Sequence, residues 1–293
     1  MVDREAFDND IDLAWCPGCG NHAIWNAIKR ALPRMGLAPH EVILVSGIGQ
    51  SSKLPDYVNA NAFTSLHGRP IPVAQAIHLA NHGLKVIVHA GDGDTYGEGG
   101  NHFLHFMRRN ANLALIVHNN RVYGLTKGQY SPTSPKGFPS KTSPPPEGAL
   151  ERPVNPLALA LAAGATFVAR SWSGDVPHLI EMMVAAIQHQ GAALLDVFQP
   201  CVVFNPDYAF DYYRERVYKM EEETKGYDPT DRDAAWEKAH EGEEHLPIGV
   251  IYQVEGRPTY EDQVPALEAG PLVRQPLRRW DEEDYAALEA AFT

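Results

Sequence analysis

Positive charge and cysteine are what this 293-residue sequence is short of. Lys and Arg number 25 against 37 Asp and Glu, a formal charge of −12, so a basic face for nucleic-acid phosphates is not expected. Three cysteines are too few for a disulfide framework. No apolar run approaches the roughly 18 residues of a membrane span. The glycines do not form the G-x-G-x-x-G of a dinucleotide site, and no internal repeat is visible. The first ten residues, MVDREAFDND, are acidic and polar, which predicts neither a secretory nor a mitochondrial address and a cytoplasmic protein.

What is present is ordinary globular composition, 44% hydrophobic and 21% charged, enough for one large or two modest domains. The chain is organised around residues 85–129. Val86-Ile87-Val88 reads as a buried parallel strand, ending in Gly91-Asp92-Gly93-Asp94, where glycine lets the backbone turn and approach a ligand. An amphipathic helix follows, with Phe103, Leu104, Phe106 and Met107 opposite Arg108 and Arg109. A second apolar run, Leu113 to Val117, ends in Asn119-Asn120. This strand–helix–strand unit sets acid and amide side chains at the carboxyl ends of two strands, where ligands bind in open parallel sheets. Asp92, Asn120 and the Val122 carbonyl are an oxygen set suited to Mg²⁺, with the glycine turn and helix start supplying N–H groups to a diphosphate. For GDG alone, an ordinary strand-to-helix turn explains the residues as well.

GDG with NN after this spacer resembles the thiamin diphosphate fingerprint. With NNRVYGLTKGQYSPT, CPGCGNHAIWNAI and SGIGQSSKLP, four motifs in order, the chain resembles the beta subunit of the 2-oxoacid:ferredoxin oxidoreductases over most of residues 12–205, and more weakly to about 260. The resemblance implies an α/β fold, an open, mainly parallel sheet with helices on both faces. It implies thiamin diphosphate along Ile48, Gly49, Gln50 and Ser51, beside His67 of an HGR motif, at Gly93 and Asp94, and near Leu125 and Thr126. Leu125 and Lys127 fall near the substrate. Relatives specific for pyruvate tend to carry glycine at position 127, so Lys127 points to the second carboxylate of 2-oxoglutarate, Lys53 being another candidate. A surface lysine is the plain alternative.

Cys16 and Cys19, in Trp15-Cys16-Pro17-Gly18-Cys19, can share one metal or cluster, and Cys201 ends a later apolar run. By themselves they are equally a zinc half-site or a dithiol echoing thioredoxin's WCGPC, although only fifteen residues precede Cys16. The resemblance makes the three thiols ligands of a [4Fe-4S] cluster. It also marks a departure, Gln50 standing where archaeal members carry the fourth cysteine.

The activity implied is oxidative decarboxylation of 2-oxoglutarate with coenzyme A to succinyl-CoA and CO₂, reducing ferredoxin, and reversible. The thiamin carbon attacks the 2-oxo group and electrons leave singly through the cluster. The glutamate that activates thiamin lies, by the same resemblance, on an alpha (or fused alpha-gamma) subunit, so an obligate alpha–beta assembly is expected, with neither nucleic acid nor membrane as partner. A pyruvate or broad 2-oxoacid enzyme, a non-redox thiamin decarboxylase or synthase subunit, and a zinc or dithiol interaction protein are the rivals.

Elsewhere, Glu41 to Val45 reads as a strand, Asn21 to Arg34 as a helix, and a helix with Val73, Ile77 and Leu79 follows the HGR motif. Residues 157–163 and 176–189 read as helices, 165–169 and 193–198 as strands. The proline-rich segment 131–156 predicts a long covering loop. We divide the chain into 1–204, bearing the cofactor and cluster residues, and 205–293, a charged, aromatic extension with one candidate strand at 247–252. Its acidic clusters, Glu221 to Glu223 and Glu241 to Glu244, read as solvated surface.

Overall fold

The computed structural model describes residues 2–276 and 280–292. An eight-stranded sheet organises it. In chain order the strands are β1 (Val42–Ser46), β2 (Asn61–Thr64), β3 (Lys85–Gly91), β4 (Leu113–Asn119), β5 (Phe167–Trp172), β6 (Ala192–Phe198), β7 (Val217–Lys219) and β8 (Leu246–Gln253). Their spatial order is β2-β1-β3-β4-β6-β5-β8-β7. All pairings are parallel except β5 with β8.

The continuous apolar runs are explained by two-sided burial. On β3 and β4, Val86, Val88, Leu113, Leu115 and Val117 pack on one face against α2 (Pro70–Ala80), α3 (Gly100–Arg109) and α4 (Pro156–Ala162). Ile87, Ala114 and Ile116 face the other way, onto α1 (Asn21–Arg34) and α5 (Val176–Gln188). Helix starts follow their sequence signals. Pro70 opens α2, while the Asn155 and Asp175 side chains accept the Ala158 and His178 N–H groups that begin α4 and α5.

Several bounds differ from expectation. The strand expected at 165–169 runs from Phe167 to Trp172, and the β2 edge strand carries no apolar alternation because all four of its residues are exposed. A π-helical stretch, Gly93–Glu98, intervenes before α3, so the α3 N-terminus does not directly follow the GDG turn. β7 and β8, both from the segment after 204, extend the same sheet. The proline-rich segment has no helix or strand across 131–155, yet its neck is tied by Val154 N–H donating to Pro132 O (2.7 Å) and Ala149 N–H to Phe138 O (3.0 Å). Glu243 is exposed, as expected of its acidic cluster, and also bonds the buried Arg121 at 2.7 Å. Among the described residues no helix is long and apolar enough to cross a membrane.

Candidate active site

The parallel register brings the carboxyl ends of four strands to one edge. Ser46 pairs with His89, Gly91 with His118, and Asn119 with Phe198. The loops leaving β1, β3 and β4 therefore converge. One cleft there is lined by Ile48 to Ser51, His67, Gly91 to Asp94, Asn120, and Val122 to Thr126. These are the sequence-predicted cofactor and Mg²⁺ residues, joined by Gly91, Tyr123 and Gly124. Lys53 and Lys127 are not among its walls. Lys53 is half-buried in the turn after β1, and Lys127 is exposed, with φ at +75°.

Asp92 is almost wholly buried. Its Oδ2 accepts from Ser131 Oγ (2.5 Å) and lies 2.6 Å from Thr133 Oγ1, which is also 2.9 Å from Asn119 Oδ1. Thr133 has one proton and can give it to only one of the two. Burial pushes the Asp92 carboxyl up to about 6, against the pull of both hydroxyls, because removal from water disfavours its charged form. Beside it, Asn120 Oδ1 accepts Val122 N–H (3.0 Å), Asn120 Nδ2 donates to Gln199 Oε1 (3.2 Å), and Asn205 Nδ2 holds the Asn120 carbonyl (3.0 Å). A carboxylate, an amide oxygen and a backbone carbonyl thus share one cleft, a donor set that fits Mg²⁺ with room for phosphate and water.

Asp94 does a different job from direct ligation. Its Oδ1 accepts from Gly68 N–H (2.7 Å), Ile48 N–H (3.3 Å) and His67 Nδ1 (2.6 Å), so it staples the β1 loop to the HGR loop. Its Oδ2 is buried without a partner. Donation from Nδ1 to the carboxylate leaves His67 Nε2 as the imidazole's basic atom, 3.7 Å from Glu98. Two glycines are dictated by contact: a Cβ on Gly47 would stand 2.1 Å from Asp94 Oδ2, and one on Gly93 2.1 Å from the Tyr123 ring.

A second cavity adjoins the first. Cys16, Cys19 and Cys201 line it with Trp15, Asn21, Gln50, Asn120 and Gly124, and Gln50, Asn120 and Gly124 belong to both. Gly20 N–H donates to Pro200 O (3.2 Å), carrying the Cys16–Cys19 turn to the thiol after β6. Burial raises Cys19 to about 11. A redox dithiol needs the opposite shift, whereas a thiolate held by metal draws its compensation from the cation. The three thiols line one cavity. Among the described residues no three His, Cys, Asp or Glu side chains form a single-ion cage.

The sequence reading missed the supports. Ser131 and Thr133 hold Asp92, and Ser134 Oγ donates to Arg121 O (2.6 Å). Their only signal was the hydroxyl cluster opening the proline-rich segment. The Tyr123 hydroxyl donates to Glu98 (2.9 Å). Behind β4, Asn119 Nδ2 (3.1 Å), Tyr96 OH (2.9 Å) and Arg170 Nε (3.3 Å) all reach the buried Asp196 carboxylate. On the opposite face His89 Nδ1 meets His118 Nε2 (3.0 Å), and His118 Nδ1 meets Asn21 Oδ1 (2.7 Å).

Residues 46–197 match the thiamine pyrophosphate enzyme C-terminal TPP binding domain, and 201–269 match the C-terminal part of the pyruvate ferredoxin oxidoreductase beta subunit. The chain is 44% identical over 290 residues to 2-oxoacid:ferredoxin oxidoreductase 1, subunit beta, of Aeropyrum pernix, covering 94% of this chain and 90% of the relative. It is 47% identical over 219 residues to 2-oxoglutarate oxidoreductase subunit KorB of Mycobacterium tuberculosis, covering 73% and 58%. A solved structure of the 2-oxoglutarate:ferredoxin oxidoreductase from Magnetococcus marinus, with 2-oxoglutarate, coenzyme A and succinyl-CoA bound, superposes with a TM-score of 0.89. It is 33% identical, with 98% of this chain and 96% of that chain covered.

Proposed function

The chain belongs to the beta subunits of the 2-oxoacid:ferredoxin oxidoreductases, and on that premise we propose that its substrate is 2-oxoglutarate, converted with coenzyme A to succinyl-CoA and CO₂ while ferredoxin is reduced. The observation that carries this reading is the wall shared by the oxygen-lined cleft and the three-thiol cavity, Gln50, Asn120 and Gly124. Carbon chemistry and electron removal would be neighbours across those residues. Relatives named for 2-oxoglutarate favour that acid over pyruvate, the alternative substrate.

Bound thiamin diphosphate supplies the nucleophilic carbon and electron sink for decarboxylating a 2-oxo acid. Asp92, Asn120 and the Val122 carbonyl would hold Mg²⁺ and through it the diphosphate. Ile48 to Ser51 would flank the ring system, and Gly93 and Thr126 the diphosphate. Asp94 orients His67, so that Nε2 can take or give a proton at the cleft wall. Leu125 would cover the substrate, while Lys127 or Lys53 would meet its distal carboxylate when the loops close against the partner. Cys16, Cys19 and Cys201 would hold an iron–sulfur cluster that carries electrons outward. Residues 1–204 hold these parts, with 205–293 packing on them or on the partner.

The partner is an alpha subunit that completes the site. In support, Ile48 and Leu125 on the cleft, Val203 on the thiol cavity, and Phe63 and Leu66 beside the HGR loop are exposed apolar side chains, the surface expected of a protein interface. The test is anaerobic assay of the co-purified alpha–beta complex. Ferredoxin reduction requiring both 2-oxoglutarate and coenzyme A is expected, and Asp92→Ala should abolish Mg²⁺-dependent thiamin diphosphate binding. Decarboxylation without coenzyme A or ferredoxin reduction would instead assign the chain to the non-redox thiamin enzymes.

A further inference from the structure

Besides the sulfurs of Cys16, Cys19 and Cys201, the thiol cavity is lined by four amide side chains, Asn21, Gln50, Asn120 and Gln199. The Gln50 backbone is pinned next to Cys16 because Trp15 Nε1 donates to its carbonyl at 2.7 Å. The Gln50 Oε1 atom is buried and has no hydrogen-bond partner. A buried amide oxygen left unpaired is destabilising, so it points to a donor or cation as its partner. Two of the other amides there are engaged. Asn120 Nδ2 is given to Gln199, and Gln199 Nε2 to Pro200 O (2.8 Å) and Cys19 Sγ (3.6 Å). Asn21 Nδ2, also lining the cavity, is buried and unpartnered too, but it can only donate. Gln50 Oε1 is therefore the free acceptor among them, and Gln50 is also a wall of the cofactor cleft.

We infer that this chain builds a three-thiolate cluster site with one odd corner, at which the Gln50 amide oxygen faces a single exchangeable iron on the side of the cofactor cleft. This rests on the reading that the three thiols hold an iron–sulfur cluster. A neutral amide in place of a thiolate leaves the assembly one negative charge lighter. Because cluster potentials follow net charge, the corner raises the reduction potential relative to a four-thiolate site. It also makes that iron removable. A one-electron oxidant such as ferricyanide takes one electron from a four-iron core of charge +2. The odd iron leaves as Fe²⁺, and a three-iron core of charge +1 stays on the thiolates, so charge and iron balance.

The test uses the anaerobically purified complex with its partner subunit, oxidised stepwise by ferricyanide and followed by released iron and electron paramagnetic resonance. Wild type should release about one iron in four and gain a three-iron signal, both reversed by dithionite with ferrous iron. Gln50→Cys should release none under the same oxidation and show a lower midpoint potential. Gln50→Ala, the control if the cysteine variant fails to fold, should release the same fraction faster than wild type at equal ferricyanide. Wild type holding its iron as firmly as Gln50→Cys, or Gln50→Ala releasing iron no faster than wild type, would overturn the inference alone. Absence of iron from every form would overturn the cluster reading and this inference with it.

Discussion

Lys127 holds its backbone at φ +75°, which costs a side-chain-bearing residue roughly 1–2 kcal/mol relative to glycine. A strained, exposed lysine kept beside a substrate cleft invites a functional explanation. Lys127→Gly should therefore raise folding stability by about 1 kcal/mol in urea unfolding, while lowering kcat/KM for 2-oxoglutarate far more than for pyruvate. Equal losses for both acids would remove Lys127 from substrate selection. The buried histidines give a pH prediction. Burial pushes His89 down to about 3 and His118 well below its ordinary value. Both are neutral in the folded chain, so the unfolded chain binds protons first as pH falls below about 6.5, and stability present above that pH is lost towards pH 3. Between pH 7 and 5 each should cost about 2 kcal/mol. His89→Gln, which can keep a bond to His118 without titrating, should remove about half of that loss in urea titrations at the two pH values. An unchanged pH slope would contradict the assignment. Such pairs were illegible beforehand, since a histidine in a strand gives no sign of which residue stands beside it across the sheet. Ser131 and Thr133 were hidden for the same reason, 39 and 41 positions from Asp92.

At the scale of elements, the metal-site loop is braced by the segment after residue 204. Arg121, between Asn120 and Val122, adopts φ +58°. Its guanidinium bonds Glu243 and lies 4.8 Å from the Tyr208 ring and 6.0 Å from the Tyr212 and Tyr213 rings. The proposed oxygen ligands on either side are thus held by a clamp from the C-terminal extension. Arg121→Met should leave the complex folded but weaken Mg²⁺-dependent thiamin diphosphate binding by about tenfold, the reach of a lost supporting contact, as read by calorimetric titration. Unaltered affinity would make the clamp merely structural. Gly93→Ala is harsher. Its methyl would meet the Tyr123 ring at 2.1 Å, and a loss of about 1–3 kcal/mol in stability is expected from overpacking; a thermal midpoint equal to wild type would refute the crowding. The core strands were readable because burial on both faces leaves continuous Val, Ile and Leu runs. β2 was not, being exposed along its length, and the clamp was not, because its tyrosines and Glu243 carry no local sign of Arg121.

For the molecule as a whole, the motif residues meet in one cleft because it is assembled from strand ends, where chain order and spatial order coincide. GDG, NN and SGIGQS each sit at the carboxyl end of a strand, and parallel pairing alone brings them together. The two lysines were different, since their expected place depended on an anion and a partner surface outside this chain. On the proposed function, one wall separates a thiamin diphosphate cleft from an iron–sulfur cavity in a subunit that would work only with alpha. The most direct measurement is the thiamin diphosphate, iron, sulfide and zinc content of the complex purified without oxygen. Thiamin diphosphate, iron and sulfide together in stoichiometric amounts, with zinc absent, is the predicted result. Zinc in the thiol cavity with no thiamin diphosphate bound would contradict it.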